Sequence, residues 1–139
     1  FTQVSRGVKY FTTGSTGFVC VTDVVNVMFQ LMEKNIFSER FIIIAENLSF
    51  EKVFKLISKN LGLAPPTKKA GKLLLFIALF IDYMRSKIKS KKRRLSSSTI
   101  ESITSISHYS NSKVLDALNY KFKSIEKSIK ETSRYFLDK

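Results

Sequence analysis

The sequence predicts a small α/β fold that is rich in helix and short of strand. Two short apolar runs of strand type, FVCV at residues 18–21 and FIII at residues 41–44, are flanked by turn-forming or helix-capping residues. Five or six other segments repeat their apolar side chains at helical spacing, several of them behind a Ser, Asp or Asn that can cap a helix. Across 139 residues, 44% hydrophobic and 12% aromatic content suffices for one packed core. Two strand candidates are too few for an independent doubly wound sheet.

Taken in order, FTQV at the start reads as the end of a helix whose beginning lies upstream. With Phe1 standing where an initiator Met would be, the chain is expected to be a piece of a longer protein, one domain spanning residues 1–139. Gly14 and Gly17 shape the loop before FVCV. Asp23 is placed to cap a helix over residues 24–34, whose Val24, Val25, Val27, Met28, Phe29, Leu31 and Met32 are apolar nearly all round and predict deep burial. Residues 40–45 hold FIII, a strand of the fully buried kind, and Glu46 and Asn47 turn the chain. Ser49 then caps a helix with Phe50, Val53, Phe54, Ile57 and Leu61 on one stripe, and Gly62 is positioned to end it.

Pro65 and Pro66 stop any continuation, so residues 63–69 form a connector. Next comes GKLLLFIALFIDYMRSK, whose apolar core at residues 73–81 is too short for a bilayer span of about twenty residues, leaving a buried or an interfacial helix. The serine-rich stretch LSSSTIESITSISHYSNS has Ser98 and Glu101 at capping-box spacing and Ile100, Ile103 and Ile106 near helical period, so a short helix is favoured over a disordered linker. Asn111 or Ser112 can start another short helix, with Asn119 where a helix-ending glycine would stand. Ser124 caps a last helix carrying Ile125, Ile129, Thr132 and Phe136 on one face.

Residues 4–25, VSRGVKYFTTGSTGFVCVTDVV, admit two functional readings. In the first, Gly14 and Gly17 open a G-x-x-G-x-x-G turn whose amides approach a dinucleotide pyrophosphate at a helix N-terminus, after a strand at residues 8–11. Cys20 stands where the third glycine belongs, and a helix capped by Asp23 begins too late to meet the phosphates. In the second, FVCV is a buried strand leading to Asp23.

RGVKYFTTGSTGFVCVTDVV resembles a segment of the extended short-chain dehydrogenase/reductases, the NAD-dependent epimerase/dehydratase and dihydroflavonol-reductase-like family, where members read RG-x-x-Y-x-x-x-G-x-x-G-F-V-D-V-R-D-V. The resemblance continues through ERFIIIAENLSFEKVFKLISKNLG and resumes at YSNSKVLDALNYKFKSIEKSIKET, similar to the family's Tyr-x-x-x-Lys, Leu-Gly-Tyr and closing helix. Nearly the whole chain is covered, and the order of segments is its specific part. It implies an α/β fold that is the helix-rich C-terminal, substrate-binding portion of such an enzyme, lacking the dinucleotide-binding Rossmann core, with no catalytic residue, cofactor site or metal site of its own. The parent would use NAD or NADP to act on a small molecule bearing a hydroxyl or carbonyl, with its dinucleotide-binding domain upstream and its place in the cytoplasm.

The resemblance also implies that the loop and strand at Thr16, Phe18 and Cys20 form a wall of the substrate pocket. On a strand Phe18 and Cys20 share a face and Val19 and Val21 take the other; either that face meets substrate, or Phe18 belongs to the core and Cys20 fills space. Cys20 stands where members have Asp or His, Thr22 where many have Arg, and Thr16 where sugar-nucleotide enzymes carry an arginine for the diphosphate. A weakly charged substrate is therefore expected.

Tyr83 with Lys87 and Tyr109 with Lys113 have the Tyr-x-x-x-Lys spacing in which a lysine depresses the tyrosine pKa for proton transfer. Too little chain separates Gly14 from Tyr109 for the family's intervening strands, so neither pair is assigned a catalytic role. His108 is the only histidine and Cys20 the only thiol, which argues against zinc, an internal disulfide framework and a serine hydrolase, and suits a reducing compartment. Lys and Arg number 24 against 11 acids, a net charge of +13, and seven bases fall at residues 85–94 with no acid among them. Read as a solvated loop after a helix, this run needs no partner, and neither nucleic acid nor membrane is expected. The alternative is a basic peripheral module that binds anionic membrane or nucleic acid through residues 73–94.

Overall fold

In a computed structural model of the chain, residues 1–89 and 97–138 are described. They form a helix-rich α/β fold with two two-stranded sheets. A short helix α1 (Thr2–Ser5) leads to β1 (Tyr10–Phe11) and β2 (Ser15–Phe18), followed by α2 (Val21–Glu33). Strand β3 (Glu46–Ser49) runs straight into α3 (Phe50–Asn60); β4 (Lys68–Lys69), α4 (Lys72–Lys89), α5 (Ser97–Thr104), α6 (Ser112–Leu118) and α7 (Ile125–Leu137) complete the order.

Strands β2 and β3 pair antiparallel with Ser15 opposite Ser49 and Phe18 opposite Glu46, while β1 and β4 pair parallel. The strand therefore falls on ENLS rather than on the FIII run before it. Strand β2 ends at Phe18, three residues short of the expected strand, and the ladder is extended by the bond from Ala45 N–H to the Phe18 carbonyl at 2.8 Å. Residues 41–44 form no ladder among the described residues; Phe41 and Ile43 instead pack on a cluster of Val27, Val114 and Leu118.

The serine caps expected at Ser49 and Ser124 are present, whereas Ser98, expected to open a capping box, lies within α5. Ser49 Oγ accepts from Lys52 N–H at 3.2 Å, and Ser124 Oγ from Lys127 N–H at 3.4 Å. The αL conformation at Asn119 (φ 50°, ψ 39°) closes α6 in the way a glycine would, and Gly62 takes φ +68° just past α3. Helices α3 and α7 pack together through Val53, Ile57, Ile125 and Ile129, joined by Val4 of α1 and Leu48 of β3. Each such buried aliphatic contributes roughly 1.5–3 kcal/mol of transfer free energy.

Helix α2 departs from the deep burial its composition predicts. Val27 is fully buried, but Val21, Val25, Met28, Phe29 and Met32 are each more than half exposed. Only the Val27 side of the helix meets α6 and residues 41–43; the other side carries no element among the described residues. Similarly, Ile100 of α5 is buried while Ile106 lies beyond the helix, exposed, in a bridge with Ser15.

Candidate functional site

The site is built where β2 hands over to α2. The strand ends at Phe18 and the helix begins at Val21, so Cys20 is the N-cap residue, in extended conformation, rather than a strand residue. Asp23, expected as the cap, lies in the first helical turn, where its charge suits the positive end of the helix dipole. Its buried carboxylate accepts from Tyr120 Oη at 2.9 Å and from Lys123 N–H at 3.0 Å. These bonds fasten the start of α2 to the loop before α7. Burial, with the Asp23 carboxylate bonded to it, holds the Tyr120 hydroxyl above its ordinary value.

Beside this junction is a cavity of about 470 Å³, within the size range of small-molecule pockets. Phe1, Phe18, Val19, Val21, Val53, Ile57, Ile125 and Ile129 supply its apolar lining; Cys20, Thr22, Ser128, Glu131, Thr132 and Tyr135 supply the polar atoms. Phe18 and Cys20 thus lie together on one cavity. Thr16, two residues back on β2 and opposite Leu48, is not part of the lining. Because the strand stops at Phe18, the alternation that would send Val19 and Val21 away from it does not operate. Phe18 serves two surfaces, since its ring also packs on the core cluster and meets Phe50 edge-on at 6.1 Å.

Glu131, in the lining, is paired with a base. Lys123 Nζ donates to Glu131 Oε2 at 2.8 Å, and that bond raises the lysine and lowers the glutamate from their ordinary values. Cys20 Sγ lies 3.1 Å from Thr22 Oγ1, and hydrogen bonding by Thr22, with smaller help from Ser128 and Lys123, holds the thiol below its ordinary value despite partial burial. A lowered thiol pKa enlarges the thiolate fraction at neutral pH. Alkylation of Cys20 by iodoacetamide is therefore expected to rise with pH through a midpoint below that of a free thiol. Thr22→Val should move the midpoint upward; an unchanged midpoint would remove Thr22 as the cause.

The two glycines do not fit a phosphate cradle. Gly14 N–H donates to the Ile103 carbonyl at 3.1 Å, and its own carbonyl accepts from Phe50 N–H at 3.0 Å. Gly17 is inside the β2 ladder, and a methyl group there would sit 2.6 Å from Ile44 Cγ2. At both positions other parts of the chain come close.

Tyr109 and Lys113 each have partners of their own. Tyr109 lies before α6, its backbone bonded both ways to the Asn47 amide, while Lys113 pairs with Glu39 at 2.6 Å and lies over the Phe41 ring. Tyr83 is on α4; the side chain of Lys87 lies outside the described residues, as do those of Arg85 and Lys89 and the whole of residues 90–96. His108 is exposed in a loop, and among the described residues no group of His, Cys, Asp and Glu could hold a metal ion.

Several lining residues were not legible as a site. Ser128, Glu131 and Thr132 belong to the helix face that also carries Ile125 and Ile129, and their positions follow from how α7 crosses the β2–α2 junction. Glu46, expected as a turn residue, accepts from Ile125 N–H at 2.9 Å and so helps fix the start of that helix.

No family model and no curated protein matches the chain. Among solved structures, that of gox2253 superposes with a TM-score of 0.72 at 18% identity, over 96% of this chain and 41% of that one. The chain spans about two fifths of the length of gox2253, and the likeness establishes that it shares the α/β fold of that portion.

Proposed function

We propose that the chain is the substrate-binding, C-terminal part of an extended short-chain dehydrogenase/reductase of the epimerase/dehydratase or ketone-reductase kind, working in the cytoplasm and inactive alone. The observation that carries the reading is the cavity at the β2–α2 junction, which Phe18 and Cys20 line together. A fold that occupies two fifths of a larger solved chain supports treating it as one part of a longer protein. The order of sequence segments supplies the family. NAD or NADP would be held by the parent's dinucleotide-binding domain, and the substrate's hydroxyl or carbonyl would be presented to it from this cavity. With Lys123 engaged by Glu131 at the rim, a weakly charged substrate is favoured over a diphosphate.

The chain on its own is accordingly expected to bind neither NAD(H) nor NADP(H). Isothermal titration is the check. Micromolar affinity would overturn the assignment and return Gly14 and Gly17 to consideration as phosphate-binding residues.

A further inference from the structure

The sequence left residues 73–81 as either a buried helix or an interfacial one. In the structure α4 is not buried. Phe76, Ile77, Phe80, Ile81 and Met84 are between 42% and 65% exposed. Their spacing of i, i+1, i+4, i+5 and i+8 places all five on one side of a helix, with the half-buried Leu75 and Leu79 on the other. Among the described residues no helix is long and apolar enough to cross a membrane.

We propose that α4 binds the surface of an anionic membrane, lying in the interface with Phe76, Ile77, Phe80, Ile81 and Met84 among the acyl chains. Charge complementarity identifies the occupant. In sequence the apolar residues are followed by seven bases at residues 85–94, with no acid among them, in a chain of net charge +13. An amphipathic helix and an adjoining basic cluster are two signals that add, where either alone holds a bilayer weakly. Helix α2 supplies the contrast. It exposes Val25, Met28, Phe29 and Met32, but Val21–Glu33 contains no Lys or Arg, so nothing there favours an anionic surface. Nucleic acid would engage the bases yet leave the apolar side of α4 in water, and residues 85–94 offer no aromatic ring to stack on a base. The proposal does not depend on the enzymatic reading, and neither test bears on the other.

The experiment is flotation of the 139-residue chain with phosphatidylcholine vesicles, with and without phosphatidylserine, over a salt series. Binding is expected only when phosphatidylserine is present, and should weaken as salt screens the bases. Replacing Phe76 and Phe80 together by Ser should weaken it by about tenfold or more while leaving the melting temperature unchanged, because those rings contact solvent. Replacing Lys91, Lys92, Arg93 and Arg94 by Gln, which leaves Arg85, Lys87 and Lys89, should weaken binding and flatten the salt dependence. No binding to phosphatidylserine vesicles would overturn the proposal. Binding indifferent to the Phe76 and Phe80 changes would also overturn it, as would tighter binding to duplex DNA than to the vesicles.

Discussion

Gly14→Ala should lower stability by about 3 kcal/mol, read as a fall in urea midpoint at constant slope. The added methyl would lie 2.5 Å from the Ile103 carbonyl oxygen and 2.8 Å from that of Ser105. Both obstacles are backbone, held by bonds from Gly14 N–H and Ser15 N–H to those same oxygens, so neither can turn aside as a side chain could. Gly17→Ala should also be costly, because Ile44 Cγ2 at 2.6 Å and Cβ at 3.3 Å belong to a buried, β-branched side chain with little room to turn. Gly71→Ala, with nothing within 4 Å of the new methyl, should change stability by no more than about 0.5 kcal/mol. Had Gly14 faced a ligand pocket, Gly14→Ala would resemble Gly71→Ala; equal midpoints for the two would refute the close approach.

Asp23→Ala should be comparably damaging, at about 3 kcal/mol. The loss is of two hydrogen bonds to a buried carboxylate, one from Tyr120 Oη and one from the backbone of Lys123, and the second donor is left without its acceptor. Tyr120→Phe removes only the first bond and should cost about 1 kcal/mol. The hydroxyl's contact with Asn26 Nδ2 at 3.3 Å is weaker support for the same side chain. Measuring both single variants and the double variant gives their coupling. If the costs simply add, Asp23 and Tyr120 do not act as one unit.

What could be read from the sequence was local. Ser49, Ser124, Asn119 and Gly62 each perform a task that depends on the residue and its immediate neighbours, and each stands where capping and turn chemistry puts it. The stripe of α3 likewise needed only its own periodicity. The errors arose where a decision rests with a distant segment. FIII has the composition of a strand, but the chain that pairs with Ser15–Phe18 is ENLS, and that choice of partner is made across more than twenty-five residues of sequence. Composition gave α2 no outward side, yet Val27 is buried and Phe29 is not, since that depends on which elements stand next to the helix. At the candidate site, Phe18 and Cys20 could be named from their segment. Ser128, Glu131 and Thr132 could not, lying more than a hundred residues away on α7 and reaching the cavity only through tertiary packing.

The core around Val53 and Ile57 draws on Val4 near one end of the chain and on Ile125 and Ile129 near the other, and the Phe1 and Phe136 rings are 6.0 Å apart. Such a core cannot close as the polypeptide leaves the ribosome. Until α7 has been synthesised, the apolar stripe of α3 stays uncovered, and its partners must then meet across most of the chain, which makes folding slow for a domain of this size. Stalled or truncated products ending before Ile125 would be substrates for chaperones and proteases.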